Sequence, residues 1–231
     1  MRLPTLSEVL RIKAFLTVER NATRDYLDLA ALTTFIDVTQ AGEALVPMDT
    51  LYPQKNGDPW AVRTQLIKQL GDPRPYDLDA TNLAEYKGVR APFDRWEHVA
   101  EICDGLSAHL LLRFTAELNA DAGAQPVRDD LAAWRTARES GERPPFPPLP
   151  GLKSMKHRHL THEGFTLAAI EDILARGSMP DWAPLVAEIQ AHPYSEVAEK
   201  TLTICRSTDI YGASKLFARV VDAARKAHAA R

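Results

Sequence analysis

Apolar side chains recur along this chain at intervals of three and four, and no stretch alternates in twos. That spacing places them on one face of a helix, so the prediction is all-α. Leu6, Val9, Leu10, Ala14, Leu16 and Val18 mark a first helix with Ser7 as its N-cap, and Lys13 interrupts the stripe. Asn21 or Thr23 caps a second helix carrying Leu27, Ala30, Ala31, Thr34 and Val38. In "NGDPWAVRTQLIKQLGDP", Asp58 caps, Pro59 takes the first helical position, and Gly71 and Pro73 close the helix near Leu70. A longer helix from Asp94 to Glu117 carries Trp96, Val99, Ile102, Cys103, Leu106 and Leu110 on one face.

The pattern changes at Asn119. One short helix around Leu131 and Trp134 precedes "RPPFPPLPG", where five of the seven residues 144–150 are proline. Such a run favours an extended, semi-rigid spacer, with an SH3-type ligand as the alternative reading. Three regions follow: a helical lobe over 1–118, a linker over 119–154, and a smaller four-helix module over 155–231. The module's helices are expected at Thr161 to Arg176, Pro180 to Ala191, Ser195 to Arg206 and Ala213 to about Ala227, with Trp182, Tyr211 and Phe217 in its core.

Composition narrows the function classes. A 45% apolar fraction over 231 residues supports a hydrophobic core. The net charge of −3 gives no general reason to expect nucleic-acid binding. Residues 1–120 carry 13 basic and 17 acidic side chains, and residues 152–231 carry 11 and 9, so only the tail is mildly basic. Cys103 and Cys205 fall in apolar helical patterns and read as small buried hydrophobes rather than a disulfide framework. Without an apolar run of membrane-spanning length or a signal-peptide core, a bacterial cytoplasmic protein is expected, with no membrane partner.

Two clusters carry candidate chemistry. Arg24, Asp25 and Asp28 open the second helix, where carboxylates suit the macrodipole and Arg24 can pair with Asp28 one turn on. Lys13 either snorkels to solvent or points at an anion. In the tail, "MKHRHLTHEG" groups His157, His159 and His162. Zinc ligation is one reading; a basic, solvated entry to a Thr161-capped helix is the other.

A Lys-bearing helix followed by an Asn-started helix with Arg-Asp-x-x-Asp-Leu resembles the C-terminal helical part of AbiEii/AbiGii-type nucleotidyltransferase toxins of abortive-infection, toxin–antitoxin systems. The likeness continues through "RPYDLDATNLAEYKGVRAPFDRWEHVAEICDGLSAHLLLR", covering roughly residues 4 to 113. It implies that Lys13 and Asp25 border a nucleotide site, with Lys13 and Arg24 toward phosphate and Asp28 beside Asp25. The segment from Met155 is similar to small helical proteins encoded next to such enzymes.

Family members also carry, upstream, a Gly-Ser turn and an Asp-x-Asp strand that hold the divalent metal. Here only a few residues precede the first helix, and Asp77-Leu78-Asp79 lies in a proline-bounded loop where it is expected to cap a helix near Thr81. The expectation is a chain that is non-catalytic alone, needs no cofactor, and acts as an accessory or antitoxin-like partner of a nucleotidyltransferase-domain chain from the same operon. The alternative is the second half of a split nucleotidyltransferase, with Mg and NTP bound, transferring NMP to an RNA or protein. Lys13, Asp25 and Asp28 would then be catalytic.

Overall fold

Thr5, rather than Ser7, starts the first helix. Its hydroxyl accepts the Glu8 amide at 3.3 Å, and the Glu8 carboxylate accepts the Thr5 amide at 2.6 Å, a reciprocal capping box. In the computed structural model, which describes residues 3–54, 61–124 and 164–230, α1 (Leu6–Arg20) buries Leu10, Ala14 and Thr17 on one face. Asn21 ends it in left-handed backbone, φ 49°, which Asn tolerates better than most residues.

Helix α2 spans Thr23–Ile36. Its N-cap is Ala22, whose side chain has no acceptor to offer. The acceptor comes from far away in sequence: Asp77 Oδ1 takes both the Thr23 amide and the Thr23 hydroxyl at 2.7 Å. Asp77 therefore caps α2, and the segment after Thr81 forms only a 3₁₀ turn, Leu83–Glu85, with Asn82 accepting the Ala84 amide. Val38 also moves from its expected element. Asp37 turns the chain at φ 67° and caps α3 (Val38–Leu45) by accepting the amides of Thr39 and Gln40.

A one-turn helix, α4 (Met48–Leu51), precedes α5 (Ala61–Gly71). Asp58 and Pro59 lie outside the described residues; the α5 amides of Val62 and Arg63 are accepted by Asp49 at 2.9 and 3.1 Å. Helix α6 (Trp96–Ala124) extends past its expected end at Glu117. Then come α7 (Leu167–Arg176), α8 (Met179–Ala191), α9 (Glu196–Ser207) and α10 (Ser214–Ala229). Thr166 caps α7 through the Ala169 amide, and Thr161, the expected start, lies outside the described residues. Ser195 caps α9. No strand occurs among the described residues, and the fold is all-α.

Helix α6 is the axis. It packs against α2, α3 and α5 on one side and against α8 and α10 on the other. Val99, Cys103, Leu106, Leu110, Leu111 and Phe114 supply its buried surface. One continuous apolar cluster joins residues from both ends of the chain. Trp182 and Phe217 are fully buried and meet edge to face, with centroids 5.5 Å apart; such a pair adds about 1 kcal/mol to its burial. Tyr211 is only half-buried.

Polar ties cross the same seam. The Met179 amide donates to Thr64 Oγ1 at 3.2 Å, Lys68 Nζ to the Gly177 carbonyl at 3.4 Å, and Lys215 Nζ to Asp72 at 2.5 Å. Arg219 pairs with Asp104. The expected linker lies outside the described residues except for 119–124, which continue α6. No described helix is long and apolar enough to cross a membrane.

Candidate functional site

The α1–α2 pair brings the motif residues together. Lys13 leaves α1 beside the buried Ala14–Thr17 row and crosses to α2, where its Nζ meets Asp28 Oδ2 at 2.6 Å. Of the two expected arrangements it takes the second, and the anion it points at is the chain's own Asp28 carboxylate. Asp28 is thus paired with Lys13, not with Arg24 as helix spacing suggested. Arg24 instead approaches Asp25, Nε to Oδ1, at 3.9 Å.

The two carboxylates have unlike surroundings despite their three-residue spacing. Asp28 is half-exposed at 48%, whereas the Asp25 side chain is fully buried. Among the described residues neither Asp25 oxygen has a hydrogen-bond partner. Asp25 sits in the first turn of α2, where the helix dipole favours negative charge. That field and the loose Arg24 contact are its compensation on this face, and an ionised carboxylate without hydrogen bonds is costly to bury.

Below Asp25, Tyr26 is fully buried, donates to Asn21 Oδ1 at 2.6 Å, and packs edge-on to Trp96. Burial pushes its hydroxyl well above the ordinary tyrosine range. Asp77 anchors the start of α2 from outside. Burial works against its charge, but the two hydrogen bonds from Thr23 prevail and hold its carboxyl below the ordinary range.

A cleft of about 550 Å³ opens beside this pair. One wall is α2, with Arg24, Leu27, Asp28 and Ala31; the other is the loop from Tyr86 to Phe93. Two turns shape that loop: the Val89 amide bonds the Tyr86 carbonyl at 3.1 Å, and the Phe93 amide bonds the Arg90 carbonyl at 2.9 Å. Gly88 takes φ 90° inside the first of them, a conformation that favours glycine. The loop's Lys87 and Arg90 line the cleft. Neither cation belongs to the Lys and Arg-Asp-x-x-Asp pattern; both fall in "EYKGVRAPF". The available signal was a Gly between two cations in a proline-punctuated stretch.

Metal chemistry finds no fit in Asp77 and Asp79. Asp77 Oδ1 is occupied by Thr23, and Asp79 is exposed in the loop. No group of three His, Cys, Asp or Glu side chains among the described residues converges on a metal-sized position. His157, His159 and His162 lie outside the described residues. Both cysteines are free; Cys103 is buried and its thiol is pushed up to about 12, while burial raises Cys205, half-buried, to about 11.

Comparison with known proteins finds partial likenesses to transport proteins. A segment of the mycolic acid-containing lipids exporter MmpL11 of Mycolicibacterium smegmatis is 32% identical over 111 residues, 48% of this chain and 11% of the exporter. The heme uptake protein MmpL11 of Mycobacterium tuberculosis is 34% identical over 113 residues, 48% of this chain and 11% of that protein. The probable transport protein MmpL11 of Mycobacterium leprae is 35% identical over 94 residues, covering 38% and 9%. The chain thus spans about a tenth of the length of the curated relatives it matches. No family model matches the chain, and no solved structure matches it.

Proposed function

We propose that this chain is a helical binding module, non-catalytic alone, that acts as an accessory or antitoxin-like partner of an AbiEii-type nucleotidyltransferase-domain chain. The observation that carries the reading is the mutual engagement of the motif residues. Lys13 is spent on Asp28 and Arg24 leans on Asp25, so two cations and two carboxylates neutralise one another. Such a set stabilises a helix pair rather than presenting free charge to a substrate. The recurrence of a similar segment as about a tenth of MmpL11 transport proteins supports a module that works attached to, or beside, other polypeptides.

Asp25 favours a second reading. A buried carboxylate without hydrogen bonds is what a split nucleotidyltransferase would hold ready for groups supplied in trans. One assay separates the two. The purified chain is titrated into a chain carrying the Gly-Ser and Asp-x-Asp motifs while NMP transfer from labelled NTP is followed. The accessory reading expects a complex in which transfer is unchanged or reduced. The split reading expects transfer only when both chains are present, and its loss with Asp25→Asn. Absence of any complex at micromolar concentrations would remove both.

A further inference from the structure

We propose that the cleft between α2 and the 86–93 loop is a binding site for phosphate groups, gripped by Lys87 and Arg90. The inference stands on charge and shape and does not rest on the partner reading. Neither Lys87 nor Arg90 belongs to the Lys and Arg-Asp-x-x-Asp motif.

Lys87 and Arg90 line one concavity with Arg24, which Asp25 engages at 3.9 Å, and Asp28 is the single carboxylate among its lining residues. Lys13 covers that carboxylate with a 2.6 Å ion pair from the adjoining helix. The repulsion Asp28 would exert on an anion is therefore largely cancelled, and the cleft keeps a positive excess. Lys87 and Arg90 have no ion-pair partner among the described residues, so no carboxylate of the fold competes for them. Both project from a loop held by two successive turns, 86–89 and 90–93, which limits the entropy lost when they close on a ligand. Guanidinium groups offer forked donors that match phosphate oxygens, and the ammonium adds a point charge. Tyr86 and Phe93 line the same cleft and present aromatic faces to whatever carries the phosphate.

The test uses the full chain alone, by calorimetric titration at low salt with two probes, inorganic tripolyphosphate and a short single-stranded oligouridylate. The comparison is with Lys87→Glu/Arg90→Glu, two exposed positions whose replacement should leave the melting temperature unchanged. Saturable binding weakened about tenfold or more in the double variant is expected, since each charge-assisted contact is worth roughly that factor. If tripolyphosphate binds, the source is a compact phosphate chain. If only the oligonucleotide binds, the source is a nucleic-acid backbone, and the salt slope should fall by about 0.7 for each lost contact. Absence of saturation with either probe, or equal affinity in the variant, overturns the proposal.

Discussion

Asp25 is the residue whose environment most needs explaining. Its carboxylate is fully buried and, among the described residues, has no hydrogen bond and only Arg24 at 3.9 Å and the start of α2 for compensation. Replacement by the isosteric neutral amide removes a buried charge without opening a cavity. Asp25→Asn should therefore leave stability unchanged or raise it by about 1 kcal/mol, read as the urea midpoint. A fall of more than about 1 kcal/mol would mean that the charge itself holds α2 in place.

The thiols make a pH prediction with a definite sign. Burial raises Cys103 from 9.0 to about 12 and Cys205 to about 11. Above pH 9 the unfolded thiols lose protons that the folded ones keep, so the folded state binds more protons and stability falls as pH rises from about 9 toward 12. Tyr26 and Tyr211, both raised by burial, act in the same direction. Lys68 opposes them: burial lowers its value, so its contribution improves as pH climbs to 10.5. Unfolding midpoints between pH 8 and 11 should decline, and Cys103→Ala should flatten the decline. A rising profile would show that Lys68 outweighs the acids.

Among the elements, α2 is the most dependent on distant help. Asp77 supplies the acceptor that Ala22 lacks. Asp77→Ala should cost about 1 to 2 kcal/mol, the usual range for a lost cap, while Asp79→Ala should stay within about 0.5 kcal/mol. Equal effects at the two positions would contradict the cap. This element also shows what the sequence disclosed and what it concealed. Helical periodicity revealed every long helix, because one apolar stripe per helix is a local property that needs no partner. Ser195 was legible as a cap for the same reason. Thr5 and Thr166 were missed because neighbouring Ser7 and Thr161 carry equally suitable hydroxyls, and only the backbone turn chooses between them. Asp77 was out of reach because its partner Thr23 lies 54 positions away. The Lys13–Asp28 pair is likewise tertiary: helix spacing offered Arg24 to Asp28, but the crossing of α1 over α2 delivers Lys13 instead.

Across the whole molecule, helices from either side of residues 125–163 share one core around α6. Gly212 is a sensitive point of that joint. It takes φ 69°, and a Cβ there would lie 2.3 Å from the Lys68 carbonyl oxygen. Gly212→Ala therefore meets both left-handed strain and backbone overlap, and should lower stability by about 2 kcal/mol or more. A loss below about 0.5 kcal/mol would mean that the loop before α10 does not bear on α5. The measurement that tests the proposed function most directly is the mass of the mixture, by light scattering during size exclusion, of this chain with a chain carrying the Gly-Ser and Asp-x-Asp motifs. The account predicts one peak at the summed mass at micromolar concentrations, retained when Lys13 is changed to Ala. Two peaks at the separate masses would contradict it.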